Sequence, residues 1–154
     1  MVTSRDILNE CRTIADELEE MQDQRLVFKS LAEKCTTRYS FAPVHTSDDV
    51  NKVFAIHRLV MLDNMIDKRK KDLERKQREG KERIGLLNDG RMRIIFFRRY
   101  IRNWSWKLIA EAMIAEHNAM SIRHLLRLHA QGMKYLDAID EMNERYSSLE
   151  EKAQ

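Results

Sequence analysis

The chain contains very few of the residues that interrupt helices and form tight turns. Its 154 residues include one proline, Pro43, and four glycines. Strands joined by tight turns need proline and glycine at frequent intervals, whereas Leu, Ala, Met, Glu, Lys and Arg favour helices. The sequence therefore predicts an all-α protein and argues against an all-β or a doubly wound α/β fold.

The first helical pattern carries a narrow apolar stripe. Its members are separated by steps of four and three residues, with Arg25 in the one polar place: Ile7, Cys11, Ile14, Leu18, Met21, Phe28, Ala32 and Cys35. A stripe that repeats about every 3.5 residues is typical of a coiled coil. At about 1.5 Å per residue the helix would span roughly 45 Å, which is too long for one small core to cover. We therefore expect a partner helix.

A second helix can supply that partner. The pattern breaks over residues 36–48, which we predict to be a loop, and becomes helical again over residues 49–79. The second helix has a broad apolar face: Val53, Phe54, Ile56, Leu59, Val60, Leu62, Met65 and Ile66. Together the helices predict an antiparallel coiled-coil hairpin over residues 1–80. Because this pairing would leave apolar edges exposed, we also expect a homodimer formed through the coiled coil.

A domain boundary is predicted between residues 80 and 88. Gly80 and Gly85 weaken the helical pattern, and Asn88-Asp89-Gly90 is a turn signal. The second domain, residues 88–154, is expected to fold by itself.

Three shorter helical patterns follow in this second domain. They are Met92, Ile95, Phe96 and Tyr100; then Trp106, Ile109, Ala110 and Met113; then Leu125, Leu128, Gly132, Met133, Leu136 and Ile139. The second and third patterns have the layout of a helix-turn-helix, in which Ser121 can cap the second helix of the motif. The sequence therefore predicts a helix-turn-helix within a three-helix module.

The charge of the chain is unevenly distributed. The net charge is only +3, but residues 6–33 hold eight acidic and three basic side chains, whereas residues 91–110 hold six basic and no acidic ones. A basic surface of this kind favours nucleic acid or an acidic protein as its partner.

The predicted motif provides candidate DNA contacts. Apolar spacing leaves Arg123, His124 and Arg127 on the outer side of the last helix, where their donors can reach guanine O6 and N7 in a major groove. Candidate phosphate contacts, which add salt-dependent affinity without reading sequence, are Lys107, Arg98, Arg99 and Arg102. Some of these arginines could instead pair with the acidic residues of the first helix or of residues 137–151.

The second domain resembles a known family. The residues that carry the resemblance are Arg99-Tyr100-Ile101, the run Trp-Ser-Trp-Lys-Leu-Ile-Ala at 104–110, Ser121, Arg127-Leu128-His129 and Leu136. They look like the carboxy-terminal half of phage transcription regulators of the RinA and ArpU type, whose helix-turn-helix is similar to region four of bacterial sigma factors. The resemblance extends over most of the chain, because related proteins also begin with an acidic helix, a Thr-rich loop and a second long helix. It implies a DNA-binding regulator of phage or prophage genes, in particular late genes, acting in the bacterial cytoplasm.

The chain departs from that family at one point. Residues 114–120 separate the two helices of the motif, where relatives have a tight turn of a few residues. Either the first helix runs on to about His117 and turns at Asn118, or a loop protrudes. The choice affects which side chains reach base edges.

Other classes of function find little support in the sequence. The five histidines lack metal-ligand spacing, and the glycines fit no phosphate-binding loop. We therefore expect no enzymatic activity, no cofactor and no metal. The chain has no apolar run long enough for a membrane span and no signal-peptide pattern at its start, so a cytoplasmic protein is expected.

One rival hypothesis belongs to a different class. The protein could be a coiled-coil adaptor or assembly protein whose basic module docks on an acidic protein such as RNA polymerase. A salt titration of binding to random and to genomic DNA would separate the two hypotheses, because only a regulator prefers particular sequences.

Overall fold

A computed structural model describes residues 2–36, 47–116 and 118–152. Within these residues all regular structure is helical and no strand occurs, which confirms the prediction of an all-α protein. The helices are α1 (Ser4–Thr36), α2 (Ser47–Gly85), α3 (Gly90–Phe96), α4 (Trp106–Ala115) and α5 (Ile122–Lys152), and α3 continues directly into a π-helical turn, Phe97–Ile101. Most of the predicted loop at 36–48 lies outside the described residues.

The chain divides into two compact units. The helical-pair unit is Ile14–Asp72, and the core unit combines Met1–Thr13 with Leu73–Gln154. This division does not follow the predicted boundary between residues 80 and 88. The difference arises because the start of α1 and the end of α2 pack with the later helices.

The main core of the core unit draws side chains from distant parts of the sequence. Leu8 of α1 and Leu87, which follows α2, are almost fully buried. Their cluster also contains Ile84, Phe96, Tyr100, Ile101, Met133 and Leu136. Residues before the predicted boundary therefore complete the core of the second predicted domain.

A buried carboxylate ties the start of α1 to α5. The backbone N–H of Ser4 donates to Oδ2 of Asp140 at 2.6 Å, and the Ser4 hydroxyl donates to Oδ1 at 2.9 Å. Arg83 of α2 also donates to Oδ1 of Asp140 at 3.3 Å. A buried charge is tolerated when it is paired and hydrogen-bonded in this way. The three helices α1, α2 and α5 therefore share one polar anchor.

Gly80 lies inside α2 rather than ending it. A Cβ atom at this position would lie 3.2 Å from Sγ of Cys11 and 3.3 Å from Cδ1 of Ile101. The missing side chain allows α1 and the π-helical turn to approach α2 closely. Nearby, Nε2 of Gln77 donates a hydrogen bond to the Ile101 carbonyl at 2.9 Å, so the last carbonyl of the π-helical turn is hydrogen-bonded.

The helical-pair unit uses a narrower part of α2 than the sequence predicts. On α1, Ile14 and Leu18 are buried, whereas on α2 the buried side chains are Ala55, Leu62 and Ile66. Most of the broad apolar face predicted for α2 is exposed: Val53, Phe54, Ile56, Val60 and Met65. One helix contacts only a narrow stripe of another, so a single partner cannot cover the whole face. Arg25 and Asp63 form an ion pair at 2.5 Å across the two helices.

Among the described helices, none combines the length and the apolar character that a membrane span requires.

Candidate nucleic-acid interface

Helices α4 and α5 pack on each other through a small apolar core. Ile109 and Met113 of α4 and Leu125 of α5 are almost fully buried, in a cluster that also holds Ile95, Ala110 and Leu128. A serine immediately before each helix caps its start: the Ser105 hydroxyl accepts from the Leu108 N–H and the Ser121 hydroxyl from the His124 N–H, both at 3.2 Å. These caps satisfy N–H groups that a helix start leaves without partners. They also fix the first residue of each helix, and with it the positions of the side chains that face outward.

The connection between α4 and α5 turns soon after α4 ends. The helix ends at Ala115, and the N–H of Asn118 donates to the Met113 carbonyl at 2.9 Å. The helix thus ends just before the predicted point near His117, a residue that lies outside the described part of the chain. The turn after the helix includes Asn118, as one of the two sequence-based alternatives expects. The Asn118 contact holds the chain against the last turn of α4.

The three predicted base contacts lie together at the start of α5. Arg123 and Arg127 are exposed, and Nη2 of Arg127 lies 2.9 Å from Nδ1 of His124. With Ser121 these residues line a concavity of about 390 Å³. The first turns of α5 therefore present two guanidinium groups and an imidazole to one surface.

Arg91 extends this surface and was not among the sequence-based candidates. Its side chain lines an adjoining concavity of about 440 Å³ with Asn118, Ser121 and His124. Asp89 caps α3 by accepting from the Arg91 N–H at 2.7 Å, which fixes where the Arg91 side chain starts. The acid-free run at 91–110 contains Arg91, but helical spacing alone does not reveal that α3 begins beside the start of α5.

The predicted phosphate contacts have different surroundings. Lys107 is exposed on α4. The Arg98 side chain is only 12% exposed, forms an ion pair with Glu116, and approaches Sδ of Met113 at 3.0 Å. The sequence suggests acidic partners in the first helix or in residues 137–151, but Glu116 belongs to neither segment. Arg98 is thus held within the fold.

Arg99 and Arg102 stack on aromatic rings. The Arg99 guanidinium lies 4.7 Å from the centre of the Trp106 ring and donates to the Trp104 carbonyl at 2.9 Å. Arg102 is exposed and lies 5.3 Å from the centre of the Trp104 ring. These contacts are cation–π interactions, in which a guanidinium is attracted to the face of an aromatic ring. Arg99 therefore has a structural role, whereas Arg102 keeps an exposed charge.

A half-buried histidine, His129, connects α5 with the π-helical turn and α4. Nε2 of His129 lies 2.8 Å from the Tyr100 hydroxyl. The His129 ring stacks on the Phe96 ring, with 4.9 Å between ring centres, and contacts the Trp106 ring edge-on, with 5.1 Å between ring centres. Burial, with a smaller contribution from the positive charge of Arg99, lowers the pKa of His129 to about 4. His129, Tyr100 and Trp106 all belong to the segments that carry the family resemblance, and here they form one contact cluster.

Acidification is expected to destabilise the fold through His129. Its pKa is about 4 in the folded protein against an ordinary value of 6.5. Between these values the unfolded chain binds a proton that the folded chain does not, so stability falls as the pH decreases through this range. His129→Gln keeps a polar partner for Tyr100 but does not titrate. The loss of urea resistance between about pH 7 and about pH 5 should be smaller in this variant; an equal loss would contradict the assignment.

Comparisons with known proteins identify no relative of this chain. The chain matches no family model, no curated protein and no solved structure. Across the described residues, no group of three or more His, Cys, Asp or Glu side chains is arranged to hold a metal ion.

Proposed function

We propose that the protein is a sequence-specific double-stranded-DNA-binding transcription regulator in which α4 and α5 form a helix-turn-helix. The observation that carries the proposal is the convergence of Arg123, His124 and Arg127 at the exposed start of α5. In a helix-turn-helix the amino-terminal residues of the second helix contact base edges in the major groove. Arg127 and Arg123 supply the donors that recognise guanine.

Other basic residues of the core unit support phosphate binding. Lys107 and Arg102 are exposed, and Arg91 lines the concavity beside His124. Cations flanking a recognition helix neutralise phosphates and hold the protein in register on the duplex. Arg98 and Arg99 act from within the fold, because their contacts with Glu116 and Trp106 fix the segment that leads into α4.

We further propose that the helical-pair unit is a coiled-coil hairpin that makes the protein a homodimer. The exposed apolar face of α2 supports this proposal, since Val53 is 68% exposed and Val60 is 56% exposed. Burying such side chains against a second copy removes apolar surface from water. A two-fold dimer presents two recognition helices and therefore reads two inverted half-sites.

The biological setting of the proposal comes from the sequence. The Arg99-Tyr100-Ile101 and Arg127-Leu128-His129 segments resemble phage regulators of the RinA and ArpU type. On that resemblance we propose phage or prophage genes, late genes in particular, as targets.

Two substitutions should separate base reading from phosphate binding. Arg127→Ala is expected to weaken binding to the preferred duplex by roughly 1–3 kcal/mol, with little change on a scrambled duplex, because it removes donors to a base edge. Lys107→Ala should weaken binding to both duplexes alike and reduce the slope of affinity against salt by about one unit. Fluorescence anisotropy at several salt concentrations measures both effects.

Arg145→Ala provides a matched control. It removes another exposed arginine from α5, but eighteen residues beyond Arg127 along the helix. Binding to both duplexes should stay unchanged in this variant. Equal weakening of both duplexes by Arg127→Ala would place Arg127 on the phosphate backbone and contradict its role in base reading.

A further inference from the structure

A second surface of the core unit combines basic and apolar side chains. A groove of about 500 Å³ lies beside the end of α2 and α3, and Ile84, Ile94 and Phe97 form its apolar part. Lys81, Arg93, Arg98 and Arg102 also line it, and the lining includes no carboxylate. We name this surface the basic groove.

The apolar part of the basic groove argues against a phosphate backbone as its occupant. Ile94 is 42% exposed although it is a large aliphatic side chain. A phosphodiester chain makes polar contacts and would leave Ile94 and Phe97 uncovered. An amphipathic helix that carries acidic residues beside an apolar stripe would cover Ile94 and Phe97 and also pair with the cationic side chains.

The end of α5 is a helix of this kind. Every residue from 141 to 150 is exposed, although α5 continues through this segment to Lys152. Met142, Tyr146 and Leu149 are separated by four and three residues and therefore share one side of the helix. The same segment carries three acidic side chains and one basic one, namely Glu141, Glu144, Glu150 and Arg145. We name residues 141–150 the α5 tail.

We propose that the basic groove of one copy of the protein binds the α5 tail of a second copy. In the structure the tail is exposed and so does not fill the groove of its own chain. The apolar stripe of the tail covers Ile94 and Phe97, while its carboxylates approach Lys81 and Arg93. In a two-fold pair each copy gives one tail and one groove, so the contact forms twice. This contact is separate from DNA binding and does not depend on it.

Photo-crosslinking of the full-length chain tests the proposal without DNA. Tyr146, which is 68% exposed, is replaced by p-benzoylphenylalanine, and the protein is mixed with a heavy-isotope-labelled copy. Mass spectrometry then identifies crosslinks between copies. The expected crosslinks join the α5 tail of one copy to residues 81–102 of the other. Crosslinks only within one copy, crosslinks to other parts of the partner, or no crosslinks would overturn the proposal.

Two exposed positions provide a matched pair of variants in the crosslinking protein. Ile94→Glu places a carboxylate in the groove and should lower the yield about tenfold, a change equivalent to roughly 1.4 kcal/mol. Leu126→Glu alters an equally exposed α5 residue outside the groove and should leave the yield unchanged; circular dichroism verifies that both variants fold. Equal yields in the two variants would overturn the proposal.

A reciprocal probe distinguishes protein from nucleic acid as the occupant. With p-benzoylphenylalanine at position 94 and duplex DNA present, the α5 tail of the second copy should be labelled. Labelling of the DNA instead would assign the basic groove to nucleic acid and overturn the proposal.

Discussion

Replacing Gly132 by alanine is expected to destabilise the protein strongly. A Cβ atom at this position would lie 2.7 Å from Cε2 and 2.8 Å from Cζ of Phe96. The Phe96 ring is fully buried and packs against both His129 and Tyr100, so it has little room to move. Overpacking of this kind costs about 1–3 kcal/mol of the free energy of unfolding, and this loss outweighs the gain of up to about 1 kcal/mol that alanine brings to a helix. Urea denaturation measures the difference.

Gly85→Ala is the matched control for this substitution. Nothing lies within 4 Å of a Cβ atom at position 85. Alanine there should leave the free energy of unfolding unchanged or raise it slightly, because it restricts the unfolded chain. If both variants unfold at the same urea concentration, the close packing of α5 on Phe96 is not a determinant of stability.

The fragment comprising residues 88–154 is expected to be unfolded in isolation. It lacks Leu8 and Leu87, which are almost fully buried in the main core, and it lacks Ser4 and Arg83, which bind the buried Asp140. Without these segments the apolar core face of the fragment would be exposed to water and Asp140 would lose three hydrogen bonds, so the fragment loses burial that stabilises the full-length chain. The sequence predicts the opposite result, because its helical patterns suggest an independent domain. Circular dichroism and heat capacity scans of the fragment decide between the two expectations.

Point substitutions in the full-length chain test whether α1 completes the main core. Leu8→Ala should lower the free energy of unfolding by about 2–5 kcal/mol, since Leu8 is fully buried. Leu26→Ala changes a leucine on the same helix that is 61% exposed and should have little effect. A folded 88–154 fragment, or equal effects of the two substitutions, would show that α1 does not complete the core.

Local patterns in the sequence explain which parts of the fold were predicted. The apolar steps through Ile14, Leu18, Ile109 and Leu125 mark the sides of helices that are buried, because a helix repeats every few residues and the pattern is contained in one segment. Contacts between Leu8 and the end of α2 join residues that lie more than seventy positions apart. No local period encodes such a contact, and for this reason the predicted boundary differs from the observed division.

Only part of the candidate site could be predicted from the sequence. Arg123 and Arg127 could be predicted as outward-facing, because their positions follow from the buried Leu125 and Leu128 on the same helix. The surroundings of Arg98 and Arg99 could not, because they depend on Glu116 and on the rings of Trp104 and Trp106. A charge-rich run identifies a basic region, but tertiary packing decides which of its arginines remain available to a partner.

Selection of bound fragments from a random duplex library by the purified full-length protein is a direct test of sequence-specific DNA binding. We expect enrichment of one sequence, arranged as inverted half-sites whose centres are separated by about 10 bp or a multiple of that distance. We also expect Arg127→Ala to change or abolish the enriched sequence, whereas Arg145→Ala should not. A library that stays random after repeated selection, with equal affinity for all duplexes, would contradict sequence-specific DNA binding.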